Sequence, residues 1–439
     1  MILIKPSLKF FFILGLLPIL ISGCASLVPT EESMTLNSPE SPTEASSDRQ
    51  LEIISVGWTT GGERDALEAL VKVYERQNPD IEVINAVDSG LSHPELVALL
   101  DERLQKQQQF DSWHVHPGEE VLDHVILGQV EPLTQLFKDQ GLDRVMPQPL
   151  VEQITINGEI YSIPLNVHRS NVLWYNPGVF KANHLTPPET IEDFFKVAEA
   201  LEDRGITPLA LGGSLGFEVG HLFESVLLAT FGPDDYIRLF QADTDMWEDP
   251  RTSSAIDTLQ KMLAYTNDDH LEISWEAAAM RVVDGKAGMT IMGDWTEGYY
   301  KNQGALPNQD FGWAAAPGTV GTFIWLSDGF VLATGAVNRE AGLTWIKVVG
   351  SKEGQDAFNP IKGSIPARLD ADKSLYDEYL QWSIDQFASD ILVPSVVHGS
   401  IGSEEYLIDY GDALIAFSKD LDKEKLLQSL RAAATLLEQ

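Results

Sequence analysis

From Leu51 onward the apolar positions keep switching between two rhythms. Leu51-Glu52-Ile53-Ile54-Ser55-Val56 reads as a strand. Glu63 to Gln77 follows with Leu67, Leu70, Val71 and Tyr74 spaced i, i+3, i+4, i+7, the stripe of an amphipathic helix. Asn78-Pro79 stops it. Ile81 to Ala86 predicts a second strand, Pro94 to Gln107 a second helix, and Phe110 to Val115 a third strand. Repeated strand–helix units imply an α/β fold with parallel or mixed sheets covered by helices on both faces. Ligands of such sheets gather at the carboxyl ends of the strands. No internal repeat of fixed period accompanies the pattern.

The chain before Leu51 has a different character. Lys5 and Lys9 precede an almost continuous apolar run, Phe10 to Ile21, which meets Ile21-Ser22-Gly23-Cys24. Charge, a short apolar stretch and then small residues is the order of a secretory signal, here residues 1–23. The run is short for a membrane span, which needs about 20 apolar residues. Its end resembles a bacterial lipobox, in which Cys24 is lipidated and becomes the first mature residue; the competing reading is an anchor helix with a chance cysteine. Residues 24–50 carry Pro29, Pro39, Pro42, many Ser and Thr, and no aromatic residue. Such a stretch cannot bury enough apolar surface to order itself, and it would act as a leash of about 25–30 Å.

Composition narrows the class. The 439 residues suffice for about two or three domains. A hydrophobic share of 44% with 22% charged residues excludes wholesale disorder. The formal net charge of −36 repels nucleic acid and anionic membrane surfaces at long range, so no nucleic-acid partner is expected. A single cysteine excludes an intramolecular disulfide and a cysteine metal cluster.

The loops carry the chemistry: Trp58-Thr59-Thr60-Gly61-Gly62-Glu63, His114-Val115-His116-Pro117-Gly118, Asn166-Val167-His168-Arg169, Met292-Gly293-Asp294-Trp295, Lys362-Gly363-Ser364 and Val397-His398-Gly399. Indoles, carboxylates, amides, imidazoles and one lysine suit a hydroxyl-rich ligand. Polar groups fix its orientation, and a flat ring covers the CH face of a pyranose. The set is poor for phosphate, which wants clustered Arg and Lys with Gly-rich backbone.

On these segments, with Ile163-Pro164-Leu165-Asn166-Val167-His168-Arg169-Ser170-Asn171, His221-Leu222-Phe223-Glu224-Ser225, Arg281-Val282-Val283-Asp284-Gly285-Lys286-Ala287 and Ser351-Lys352-Glu353-Gly354-Gln355, the chain from Leu51 to its end resembles the extracellular solute-binding proteins of bacterial ABC sugar importers. It most resembles their glucose-binding branch, some of whose members also bind galactose or mannose. Gly57 replaces the first of two adjacent tryptophans common among relatives, and His114 stands where glutamine is frequent.

The resemblance implies two α/β lobes of the periplasmic-binding-protein fold joined by hinge crossings, with sugar in the cleft. We place the first lobe at 51–163 plus 325–362 and the second at 166–320 plus 366–439, with crossings near Ile163-Pro164, Trp325 and Ser364-Ile365-Pro366. The expected sugar-binding set is Trp58, Glu63, His114, His116, Trp275, Asp294, Lys362 and His398, with His168 as a further cleft residue. Asn166 and Arg169 read as hinge support, and Trp295 and Trp325 as core. Each has a plainer alternative. Glu63 opens a helix, where a carboxylate is favoured anyway; Asp294 could hold its own turn; Trp58 and Trp275 could be packing rings; Lys362 could be a solvated charge. A permease with its ATPase is implied, the protein itself being a monomer that touches the membrane only through its lipid, in the periplasm or on the outer surface of a one-membrane cell.

No cofactor and no metal site is expected. His114, His116, Asp294 and His398 show no helical His-x-x-x-His spacing, and Lys362 beside them opposes a cation. Gly212-Gly213-Ser214-Leu215-Gly216 lacks the strand that a hydrolase nucleophile elbow requires. A glycoside hydrolase built on Glu63 and Asp294, and a sensor presenting sugar to a receptor, are the rival readings. The lipobox generates a direct test. Cys24→Ser is expected to move the protein from the membrane to the soluble fraction, since stable anchoring takes more than one acyl chain and the variant has none. Protein that still sediments with membranes after a salt wash contradicts the lipid anchor.

Overall fold

The computed structural model describes residues 50–438 except 60, 214–215 and 242–243, so the signal segment, Cys24 and the leash lie outside the described residues. The chain opens with β1 (Gln50–Ile54), α1 (Gly61–Gln77), β2 (Glu82–Asn85), α2 (His93–Gln105), β3 (Ser112–Val115) and α3 (Glu119–Ile126). The later strands are β4 (Thr155–Ile156), β5 (Glu159–Ile160), β6 (Ser162–Pro164), β7 (Asn166–Arg169), β8 (Val172–Tyr175) and β9 (Thr207–Leu209). Then come β10 (Ala287–Ile291), β11 (Gly312–Ala315), β12 (Thr322–Leu326), β13 (Gly329–Leu332), β14 (Ile365–Pro366) and β15 (Ile391–Pro394). No helix among the described residues is long and apolar enough to cross a membrane.

The strand–helix alternation read from the sequence is present, with shifted ends. Strand β1 stops at Ile54, and α1 begins two residues before Glu63 because Gly61 takes φ +57°. A side chain on the next residue, Gly62, would lie 3.0 Å from the Gly298 carbonyl oxygen, so α1 starts where two helices meet closely. At the other end of the unit, α2 finishes at Gln105 rather than Gln107, whose φ of 56° leaves the helical region.

The strands form three main sheets and one short hairpin. The first has the order β2-β1-β3-β13-β6, parallel among its first three strands and antiparallel around β13. The second runs β11-β8-β10-β9, and the third β14-β7-β12-β15. Two large buried clusters fill the interior. One surrounds the first sheet with Ile53, Trp113, Phe330 and Trp345, and the other surrounds the second with Leu209, Leu222, Trp247 and Met289. The architecture is α/β with two sheet-centred lobes.

The chain passes between sheets through very short links. Only Leu165 separates β6 in the first sheet from β7 in the third, and only Ser327-Asp328 separates β12 in the third from β13 in the first. These links run side by side, joined by the Leu165 amide donating to the Asp328 carbonyl at 2.8 Å. A further passage leaves the helix Lys352–Lys362 at Gly363, whose φ of +84° turns the chain into β14. The site is built around these links.

On the flank of one passage, buried Glu297 lies 3.0 Å from the Lys301 ammonium, which also reaches Asp377 at 2.7 Å. Burial, then the neighbouring Asp377, pushes the Glu297 carboxyl well above its ordinary range, whereas Asp377 is lowered. A carboxyl raised on folding lends stability that is complete below its unfolded value near about 4.3 and is lost as pH climbs through the folded one. Wild-type protein is therefore expected to lose more thermal midpoint than Glu297→Gln between pH 5 and 8. A constant offset between the two over that range contradicts the assignment.

Candidate functional site

Asp328 sits in the link between β12 and β13, 3% exposed, and its carboxylate collects donors from both sides. Oδ1 accepts from His114 Nε2 at 3.1 Å, the side chain that β3 turns toward it. Oδ2 accepts from Asn166 Nδ2 at 2.7 Å and from His168 Nε2 at 3.1 Å, both on β7. Asn166 answers by accepting from the Asp328 amide at 2.7 Å, so the two neighbouring links are stapled to each other. Burial disfavours this charge, but the hydrogen bonds from His114 and His168 and their charges overcome it and hold Asp328 well below the carboxylate range.

The other face of His168 meets Asp294. Its Nδ1 is hydrogen-bonded to Asp294 Oδ1, while the Arg169 amide donates to Asp294 Oδ2 at 2.9 Å. Asp294 is fully buried in this arrangement, holding the imidazole rather than facing open space. Burial works against charge on His168; the two carboxylates flanking its ring nonetheless raise its pKa. With a carboxylate at each nitrogen, His168 bridges Asp294 and Asp328.

His116, one residue past β3, returns to the same carboxylate. Its ring lies 5.1 Å from that of His114, and its Nε2 is 3.7 Å from Asp328 Oδ1, as the period-2 alternation of a strand requires. Its Nδ1 contacts Glu120 Oε2 of α3 at 2.9 Å. Burial opposes its protonation, but the Glu120 hydrogen bond and the charges of Glu120 and Asp328 raise its pKa.

Lys362 closes the next side. Its ammonium donates to Glu63 Oε1 at 2.7 Å and lies 5.8 Å from the Trp58 ring and 5.9 Å from Trp295. Burial is outweighed by Glu63 and Asp328, so Lys362 stays charged at neutral pH. Glu63 and Lys362 come from α1 and the helix Lys352–Lys362, and 299 positions of sequence separate them. Trp58 packs on His114 at 4.3 Å and on Phe358 at 5.0 Å, and its 3% exposure makes it a wall of the site.

His398 approaches from beyond β15. Its ring is 5.6 Å from His116 and 5.3 Å from Trp295. Its Nε2 lies 3.0 Å from His221 Nε2, and His221 Nδ1 contacts Glu224 at 3.0 Å. Burial first, and then the neighbouring His221 and His116, hold the His398 pKa well below the ordinary value. His116 and His398 also edge a cavity of about 560 Å³ whose lining comes mostly from α2 and α3, including Leu100, Leu104, Glu120 and Asp123.

Seven of the eight sugar-set residues thus share one neighbourhood, as does His168. The ring contact of Trp275 is with Tyr299 at 5.3 Å, beside the Gly61 turn that precedes Glu63. Three participants were missed by sequence reading: Asp328, Glu120 and His221 as a direct neighbour of His398. The polar pair Ser327-Asp328 interrupting the apolar run from Phe323 to Leu332 was the signal for Asp328. Trp295, read as core, is buried, yet its ring also lies 5.4 Å from His168 and 5.3 Å from His221.

Residues 59–356 match the family model for the bacterial extracellular solute-binding proteins, and the chain belongs to that family. It is 35% identical, over 92% of its length and 90% of the relative's, to an uncharacterized ABC transporter extracellular-binding protein of Pyrococcus horikoshii. Over 59% of its length and 63% of the relative's it is 32% identical to a probable sugar-binding periplasmic protein of Mesorhizobium japonicum. Among solved structures, the bacterial solute receptor AcbH, described with an exclusive preference for β-D-galactopyranose, superposes with a TM-score of 0.77 at 16% identity, covering 88% of this chain and 98% of that one. That likeness carries the fold.

The Asp328 network makes its own prediction. Asp328→Asn keeps the shape but points an amide at donors, leaving buried groups unpaired at a cost of about 3–5 kcal/mol when one partner of a buried ionic network is lost. Chemical denaturation is expected to show a loss of that order. An unchanged denaturation midpoint contradicts the central place given to this carboxylate.

Proposed function

We propose that this protein is the extracellular sugar-binding component of an ABC importer, capturing a monosaccharide, with glucose the first candidate, in the cleft between its lobes. The observation that carries this reading is the convergence of Glu63, His116 and His398 from separate elements on one half-open neighbourhood. Buried Trp58, His114, His168, Asp294 and Lys362 stand directly behind them. Relatives named as sugar-binding periplasmic proteins support the substrate class. The lobes are assigned to 51–163 plus 325–362 and 166–320 plus 366–439, hinged at the short links. Capture followed by hinge closure is the motion such an arrangement permits. The protein is exported, held by lipid on Cys24, acts as a monomer and hands sugar to a membrane permease with its ATPase. It carries out no reaction.

The chemistry of capture follows from the pairs already present. Glu63 and Lys362 satisfy each other, and a sugar hydroxyl can insert by donating to the carboxylate while accepting from the ammonium. His116 and His398 offer ring nitrogens to neighbouring hydroxyls. The indoles of Trp58 and Trp295 back these polar groups with apolar surface against the sugar's CH faces. His168 and Asp294 act as positioning residues, fixing the floor of the cleft through Asp328. A hexose lacking one matched hydroxyl would leave a buried group unpaired, at about 1–3 kcal/mol or roughly 5- to 150-fold in affinity.

Calorimetry of the protein against mono- and disaccharides tests the reading. Glucose is expected to bind most tightly, and Glu63→Gln and Asp294→Asn each to weaken it by about 10- to 100-fold, the first by direct contact and the second through His168. Maltose or trehalose outranking every hexose overturns the monosaccharide assignment. Wild-type affinity in both variants, or release of sugar from aryl glycosides that disappears with them, overturns the binding role of these residues.

A further inference from the structure

We propose that His114, His116 and Asp328 form a binding site for a transition-metal dication of the zinc type. The three side chains were not joined by sequence reading, which weighed the two histidines with Asp294 and His398. The fold commits Asp294 to His168 and brings Asp328 to the histidines instead. The inference rests on these three side chains, and the ion competes with a sugar hydroxyl for His116 Nε2, the ring nitrogen that Glu120 leaves open.

The distances suit a small ion. Asp328 Oδ1 is 3.1 Å from His114 Nε2 and 3.7 Å from His116 Nε2. Tetrahedral zinc with bonds of about 2.0–2.2 Å sets neighbouring ligand atoms roughly 3.3–3.6 Å apart, between those two values. All three ligand atoms lie within 4.8 Å of one another. His116, with 32% of its side chain exposed, is the one with room to close the remaining gap and keeps a path open for the ion. Solvent supplies the fourth position.

The surroundings orient each ligand as a metal needs. Glu120 Oε2 holds His116 Nδ1 at 2.9 Å, and a carboxylate there fixes the proton on Nδ1, turning the Nε2 lone pair toward Asp328. Asn166 and His168 occupy Asp328 Oδ2, which leaves Oδ1 for the ion. The ion replaces the hydrogen between His114 Nε2 and Asp328, and the neutral His114 ring then carries its one proton on Nδ1. Lys362, the cation that argued against a metal from sequence, has its charge offset by Glu63 at 2.7 Å. Two imidazoles and one carboxylate select zinc, cobalt, nickel or copper over calcium and magnesium, which prefer all-oxygen sites.

The test uses purified full-length protein freed of metal with a chelator and titrated with Co²⁺, followed by its visible absorption and by calorimetry. One Co²⁺ per chain is expected, with the intense band of a four- or five-coordinate ion, displaced by Zn²⁺ and unaffected by Mg²⁺. His116→Gln should abolish the band in protein that circular dichroism shows to be folded. Glu120→Gln should weaken Co²⁺ by about 10- to 100-fold. His184→Gln, an exposed histidine elsewhere, should bind as wild type does. No band at millimolar Co²⁺, or a band that persists unchanged in His116→Gln, overturns the site.

Discussion

Taking a carboxylate out of water costs several kcal/mol unless hydrogen bonds and opposite charge replace what water supplied. Asp328 is deeply buried, so the surrounding chain has to deliver those partners to one point. His114 comes from β3 in the first sheet, and Asn166 and His168 from β7 in the third. None could be moved far without stranding the charge. The two short links through Leu165 and Ser327-Asp328 therefore cannot slide past each other, and the side chains they carry keep one register. For the proposed capture of a sugar, links of fixed register would let groups from separate sheets meet the ligand repeatedly in the same geometry.

The remaining polar groups extend outward from this centre by local pairing. Asp328 and Asp294 bracket His168, Glu120 braces His116, Glu63 neutralises Lys362, and Glu224 orders His221 against His398. Each pair keeps a buried or half-buried charge satisfied without ligand. Each also offers atoms that sugar hydroxyls can imitate, donor for donor and acceptor for acceptor. Close backbone contact supports the arrangement from outside, since Gly62 lets α1 approach the Gly298 carbonyl and so sets the position of Glu63 one residue later. Across a chain of net charge −36, the neighbourhood concentrates the rarer cationic groups where carboxylates can answer them.

The strand–helix order from Leu51 to Val115 was legible because it is a local property: Leu67, Leu70, Val71 and Tyr74 lie on α1, whatever it packs against. The chemistry of His114, His116, Lys362 and His398 was legible as residue type at loop positions, and the resemblance added their grouping. What stayed hidden depends on distance through space. Asp328 drew no reading from the sequence, since only the pairing of β13 with β3 carries it to His114. Asp294 looked like a ligand-facing group, whereas the return of β10 beside β8 lets both its oxygens be used by His168 and Arg169. Trp275 had the composition of a sugar platform, and its place at the start of the helix Trp275–Val283 sets its ring beside Tyr299, a neighbour the sequence did not show.

If one carboxylate welds groups of different sheets into a single site, perturbing them must not be independent. A double-mutant cycle with His114→Gln and His168→Gln, read as glucose affinity by calorimetry, measures this most directly, because both side chains reach Asp328 but lie on different strands. The account predicts that the double variant departs from the sum of the single effects by about 0.5–3 kcal/mol, the range for residues within one network. Strict additivity, with each histidine contributing as though the other were absent, would contradict it.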